Sequence, residues 1–290
     1  MPTKLSLTTW LMEAEENALS FGAWCLSRQS LDLECSEEEL LSRSGALLDV
    51  MRAAIDTGLS GVRSVGGLVG GDSRRLQQAT PSCAGSPLRK ALMYALAVGE
   101  ANAAMGRIVA APTAGASGVL PALLFTLQEE HALTRSQLAK ALITAGSIGL
   151  VIASRATLAG ATGGCQAECG SAAAMAAGAA VDALGGSPRQ VGHAVAIALK
   201  NMLGLVCDPV AGLVEVPCVK RNAGAAANAL AAAEMALADI ASVIPPDEVI
   251  DTMGRIGAQL PCSLRETAQG GLATTPSGLA WAEAILGKNR

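Results

Sequence analysis

The chain reads as a succession of helices. From Leu5 to about Gly58 the pattern is amphipathic and acidic, with apolar positions returning at helical spacing through Leu40, Leu41 and Leu47. Ser36 stands three residues before Glu39, which is the spacing of a capping box, and this stretch is read as two helices. Near Gly58 the composition turns to glycine (Gly61, Gly66, Gly67, Gly70, Gly71), and after Pro87 the helical period resumes through Leu88, Ala91, Leu92, Ala95 and Leu96. Further helices are predicted from about Val119 to Glu130, Ser136 to Ser154, Ala167 to Leu184, Ser187 to Leu203, Asn222 to Ile240 and Asp247 to Gln259. Glycine-containing breaks separate them at 114–118, 160–164, 185–186 and 212, and strand-like alternation is nearly absent. The fold class expected is all-α, a compact multi-helix domain with glycine-rich loops around a buried site. An N-terminal helical portion spans 1–60 and a catalytic portion 61–290, the two forming one continuous domain.

Composition sharpens this picture. Hydrophobic residues are 51% of the chain but aromatics only 2%, with 32 glycines, so the core must be built from Ala, Leu and Val on closely approaching helix faces. Mean hydropathy is +0.39, yet the apolar runs are interrupted: Ala141 to Ser154 lies between Lys140 and Arg155, and the Ala-rich run from Ala172 meets Asp182. No membrane partner is expected, and the acidic start (Glu13, Glu15, Glu16) lacks a signal-peptide pattern, so the location expected is cytoplasmic. A net charge of −4 with only short basic pairs, Arg74-Arg75 and Lys220-Arg221, argues against nucleic acid as a partner.

Eight cysteines in a chain of this kind are expected to be reduced, and so to act as metal ligands, nucleophiles or core fillers. Three lie in Gly- or Pro-containing surroundings: Cys165 after Gly163-Gly164, Cys207 before Asp208-Pro209, and Cys218 after Pro217. Flanking glycines permit close backbone approach, and Pro209 and Pro217 are read as stopping helix propagation on either side of a 207–218 loop. No Cys-x-x-Cys pair is present, so spacing alone leaves a metal site and ordinary buried thiols equally open.

The segments Gly164-Cys165-Gln166-Ala167-Glu168 and Cys207-Asp208-Pro209-Val210-Ala211-Gly212-Leu213-Val214-Glu215-Val216-Pro217-Cys218 resemble the signatures of iron-sulfur-dependent L-serine dehydratases. The likeness extends to Gly70-Gly71-Asp72, to Asn102 through Gly115, to Arg221-Asn222-Ala223 and to Arg265 through Ala273, in the same order, covering roughly Gly66 to Thr275. It implies conversion of L-serine to pyruvate and ammonia on a [4Fe-4S] cluster held by Cys165, Cys207 and Cys218, with one iron left open as a Lewis acid. Cys169 departs from the family pattern, and the ending Gly287-Lys288-Asn289-Arg290 lacks the terminal cysteine of some single-chain members. Without a regulatory segment of its own, the chain resembles the alpha subunit of the two-chain type, which implies a separate beta subunit and an oligomer.

Substrate-binding candidates are the Thr113, Gly115 and Ser117 loop, read as a cradle for the serine carboxylate, together with Asp72, Asn102 and Arg265. Ser117 reads equally well as an ordinary helix cap. The base that takes the α-proton is not fixed by the pattern; Glu168, Asp208, Glu215 and His193 are the candidates. Related lyases acting on L-cysteine or L-threonine and a cluster-bearing redox sensor are the competing functions. A pyridoxal-phosphate dehydratase is disfavoured because no Ser-Gly-rich phosphate loop is present.

Overall fold

The computed structural model describes residues 4–80 and 82–287; the tail residues Lys288, Asn289 and Arg290 that enter the chain-end comparison above lie outside them. Among the described residues there is no strand, only two isolated bridges, and the all-α expectation holds. The helices in order are α1 (Leu7–Glu16), α2 (Phe21–Asp32), α3 (Glu37–Leu59), α4 (Asp72–Gln78), α5 (Ser86–Ala103), α6 (Val119–His131), α7 (Arg135–Arg155), α8 (Gly160–Gly163), α9 (Ser171–Ala183), α10 (Pro188–Lys200), α11 (Cys218–Leu237), α12 (Pro246–Gln259) and α13 (Pro276–Leu286).

The N-terminal stretch holds three helices rather than two. Asn17 to Ser20 breaks the run: Ala18 is left-handed (φ 54), and the Ser20 hydroxyl caps α2 by accepting from the Ala23 N–H. Ser36 caps α3 by accepting from the Glu39 N–H at 3.1 Å, but only this half of the expected capping box forms, the Glu39 carboxylate pairing with Arg43 instead. These helices pack on α5, α7 and α10 and share their core with the downstream portion. Phe21, Trp10 and Trp24 form an aromatic knot there, with ring centroids 5.3 Å apart for the two tryptophans and 6.1 Å apart for Phe21 and Trp24.

At the centre stands α9, buried on every side from Ser171 to Asp182. A helix made almost wholly of Ala has no polar face to offer water, so it is enclosed by α6, α7, α10 and α11. Small residues allow the close approach: a Cβ on Gly178 would lie 2.4 Å from Ile148 Cδ1, and one on Gly58 of α3 would lie 2.0 Å from the Ala97 carbonyl of α5. Among the described residues only α7 is long and apolar enough to cross a membrane, and most of its apolar stretch is buried against its neighbours.

Asp182 brings a carboxyl group into this core. Asp182 accepts from the Gly22 N–H at 2.8 Å and from the Thr144 hydroxyl at 3.1 Å, so it ties α2 and α7 to α9. Gly22 leaves the space that the carboxylate fills, since a Cβ there would lie 2.1 Å from Asp182 Oδ2. Burial raises the Asp182 pKa above its ordinary value of 3.8, against the lowering effect of the two hydrogen bonds. A carboxyl whose folded pKa is raised favours the native state fully below its unfolded pKa, and that advantage is lost as pH rises through the folded pKa. Asp182→Asn is therefore expected to flatten the decline in stability between about pH 4 and neutrality, read as urea midpoints of both proteins across that range. Parallel pH profiles for the two proteins would contradict this.

Candidate active site

The three cysteines of the matched motifs come from three different local structures. Cys165 precedes a single π-helical turn, Gln166–Gly170, a form that turns up frequently at functional sites. Gly164 in front of it has φ +77, and a Cβ there would lie 2.7 Å from Leu260 and 2.9 Å from the Leu205 carbonyl, so only glycine fits. Cys207 is paired with the segment that follows α12: its N–H donates to the Leu264 carbonyl at 2.9 Å, and its carbonyl accepts from the Glu266 N–H at 2.8 Å. Cys218 is the first residue of α11, with Pro217 at the cap. The helix expected from Asn222 thus begins four residues earlier, so that Cys218, Lys220 and Arg221 occupy its first turn rather than a loop.

Ionised Cys165 perturbs both Cys207 and Cys218, and Cys218 in turn perturbs Cys207. Burial pushes the Cys207 thiol far above its ordinary range, and Glu168, Cys165, Glu266 and Cys218 add to the rise. Burial likewise pushes Cys218 up to about 12, with Cys165 and Glu168 adding to it. Cys165 moves the other way: a hydrogen bond from the Cys169 thiol lowers it, burial opposes, and the Arg221 guanidinium lowers it further. Cys169, one turn away and almost wholly buried, is pushed well above its usual value, first by that same bond to Cys165 and then by burial.

The carboxylates separate into two kinds. Glu215 is spent on the backbone, accepting from the Ser64 hydroxyl at 2.6 Å, the Gly66 N–H at 2.6 Å and the Leu68 N–H at 3.0 Å, which fixes the 64–69 loop. Asp208 accepts from the Leu272 N–H at 2.8 Å and pairs with Arg221 at 2.9 Å. Glu168 differs. Its Oε1 accepts from the Thr113 hydroxyl at 2.7 Å, its Oε2 lies 4.0 Å from the Cys207 sulfur, and burial raises its pKa with Glu266 adding to the effect. Ligand atoms of Glu168, Cys207 and Glu266 all lie within 4.8 Å of one another, a group able to hold a metal ion.

The Thr113 to Gly118 loop borders Glu168: a Cβ on Gly115 would meet Glu168 Oε1 at 3.2 Å. Asn222 stitches this loop to Cys218, donating to the Gly115 and Cys218 carbonyls at 2.7 and 2.9 Å and accepting from the Gly118 N–H at 2.9 Å. The N–H groups of Ala116, Ser117 and Gly118 are thus occupied by Thr113, Ala114 and Asn222, which leaves less of an N–H cradle than the loop pattern foretells. Ser117 does not cap α6, whose cap is Gly118 without a side-chain bond; its hydroxyl is buried and has no hydrogen-bond partner in the protein.

The other candidates have contacts of their own. The Asp72 carboxylate is held by Arg75 and by Lys220, the latter at 2.5 Å, while its backbone N–H donates to Glu100. Asn102 sits in the last turn of α5, its carbonyl accepting from the Met105 N–H at 3.0 Å. His193 Nδ1 accepts from the Ser242 N–H at 3.2 Å, in a pocket lined by α1 and α10, away from the cysteines. The Arg265 side chain lines a basic pocket with Arg155 and Arg255. Sequence reasoning did not single out Glu266 or Asn222 for a role, although both lie in matched motifs; only their contacts across the fold reveal one.

An all-helical fold thus brings the Cys207 thiol together with Glu168 and Glu266 in a group able to hold a metal ion, with Cys165 and Cys218 near enough to raise the Cys207 pKa. The chain belongs to the serine dehydratase alpha chain family, whose model matches residues 3–273. It is 53% identical over 257 residues to the probable L-serine dehydratase alpha chain of Bacillus subtilis (strain 168), covering 88% of this chain and 86% of that one. The L-serine dehydratase alpha chain of Peptoniphilus asaccharolyticus is 46% identical, with 84% and 85% covered. The L-serine dehydratase of Streptomyces coelicolor is 40% identical over 90% of this chain, which spans 58% of that protein's length.

Proposed function

We propose that the chain is the catalytic alpha subunit of an L-serine ammonia-lyase, converting L-serine to pyruvate and ammonia, with a [4Fe-4S] cluster held by Cys165, Cys207 and Cys218. The observation that carries this reading is the convergence on Cys207: ionised Cys165, Cys218, Glu168 and Glu266 each raise its pKa, and Glu168 Oε2 lies 4.0 Å from its sulfur. The donor set fits such a group. Arg221 beside Cys165 and the α11 N-terminus at Cys218 supply positive potential for thiolates, and Cys169 donates to Cys165. When bound, the cluster would supply a Lewis-acidic iron that assists departure of the serine hydroxyl.

The protein's own groups do the rest. Glu168 takes the α-proton: burial favours its neutral form, and Thr113 holds the carboxylate in place. The Ser117 hydroxyl, buried and unpartnered, donates to the substrate carboxylate. Asn222 keeps the loop carrying Ser117 in register with Cys218. Glu215 and Asp208 act as anchors of surrounding loops rather than as bases.

A separate beta chain and a cytoplasmic location accompany this reading. Support for the partner comes from α13, apolar along nearly its whole length yet exposed, with Leu279 57%, Trp281 51% and Leu286 56% accessible. It packs beside Val210–Gly212, within the segment that joins Cys207 to Cys218.

A second reading rests on the Glu168, Cys207 and Glu266 group, which suits one divalent ion rather than a cluster. Anaerobic reconstitution with iron and sulfide, followed by metal and sulfide analysis and a pyruvate assay with L-serine, L-threonine and L-cysteine, decides between them. About four irons and four sulfides per chain together with serine turnover are expected. One metal without sulfide would favour the second reading, and no turnover of any of the three amino acids would overturn both.

A further inference from the structure

Beside the segment that pairs with Cys207 lies a cavity of about 580 Å³ whose lining includes Ala156, Gly254, Ala258, Thr157 and Thr162. Four cations face it, Lys4, Arg155, Arg255 and Arg265, against one carboxylate, Asp251. That carboxylate is already shared, 2.7 Å from Arg155 and 3.5 Å from Lys4. Asp247, one turn earlier on α12, lies 3.9 Å from Arg155 but is spent on the start of α1, where it accepts from the Ser6 hydroxyl and the Leu7 and Thr8 N–H groups.

The two remaining arginines are left without a counter-charge. Among the described residues neither Arg255 nor Arg265 has a carboxylate in ion-pair range; Arg255 donates only to the Thr252 hydroxyl at 2.7 Å. The Arg265 Nε is buried and has no hydrogen-bond partner. Like charges converging on one cavity repel, and a buried guanidinium donor without an acceptor is costly, so both conditions are relieved by the same thing: an anion with several oxygens. Thr157 and Thr162 can complete its coordination with hydroxyls.

We propose that this cavity is a binding site for a small multivalent oxyanion, a phosphate or a di- or tricarboxylate, separate from the thiol and carboxylate centre. It goes beyond the dehydratase reading and does not depend on it. Its position matters nonetheless, because the backbone on either side of Arg265 carries both hydrogen bonds to Cys207. An anion held by Arg265 would therefore bear on the mount of a candidate ligand.

Calorimetric titration of the purified chain with potassium phosphate, malonate and citrate, at ionic strength held constant with potassium chloride, tests this without any reference to turnover. Saturable binding of one anion per chain is expected. Arg255→Gln should weaken it at least about tenfold, the loss of one charge-assisted contact, with Arg255→Lys recovering part of the affinity. Arg255 is exposed and lies outside the candidate catalytic centre, so the fold survives its replacement; unchanged circular dichroism verifies this. Binding of phosphate alone would assign the site to phosphoryl ligands, and binding of the carboxylates alone to organic acids; either upholds the oxyanion site. Heat no greater than that of chloride, or equal affinity in wild type and Arg255→Gln, would overturn it.

Discussion

Cys207→Ala is expected to abolish both metal binding and serine turnover, because Cys207 belongs to either donor set the site can assemble, the three thiols or the thiol with Glu168 and Glu266. Alanine supplies no anionic donor, and solvent cannot replace a thiolate with equal strength. Cys165→Ala and Cys218→Ala separate the two sets. If the three thiols hold a cluster, each variant loses the visible absorption and the turnover as completely as Cys207→Ala; if a single ion is held, both variants retain the metal. On the proposed assignment Cys169 is not a ligand, so in Cys169→Ala most of the iron and most of the turnover should persist. Loss of the cluster in Cys169→Ala alone, with Cys207→Ala intact, would show that the ligand assignment is wrong.

The second large effect concerns the base. Glu168→Gln keeps the size of the side chain and an acceptor for Thr113 but cannot take a proton, so kcat should fall by about 10²- to 10⁴-fold while KM and iron content change little. A fall in iron content parallel to the fall in rate would instead make Glu168 a ligand. The neighbouring acids behave differently. Glu215→Gln cannot accept three donors as the carboxylate does, and Asp208→Asn loses the charge that faces Arg221. Each should lower stability by roughly 1–3 kcal/mol, seen in denaturant midpoints, with any loss of activity following the loss of folded protein.

How far the chain foretells this arrangement differs between its parts. The long helices are legible because their apolar period is sustained, as in Arg135–Arg155. The break at Asn17 to Ser20 was missed because it contains neither Gly nor Pro; a left-handed alanine leaves no mark on hydropathy. Pro217 was read as a stop, but proline is as well suited to the start of a helix, and so Cys218 opens α11. Cys165, Cys207 and Cys218 stand out in the sequence through their motifs, and their role as ligands belongs to the proposal. What set Glu168 apart from Asp208 and Glu215 was not legible, since the donors that occupy the latter two come from 64–68 and 271–272, far away in the chain. His193 attracted notice as one of only two histidines, and scarcity says nothing about position.

The three tryptophans are distributed so that the protein carries its own optical reporters. Trp10 and Trp24 lie in the aromatic knot under α1 and α2, each 8% exposed, whereas Trp281 is half exposed on α13. Emission from the isolated chain should accordingly be the sum of a blue, shielded component and a red, quencher-accessible one. Iodide would extinguish only the second. Any polypeptide that settles over α13 would move that red component toward the blue while leaving the first untouched, so that assembly can be followed by fluorescence in the native sequence, without a label.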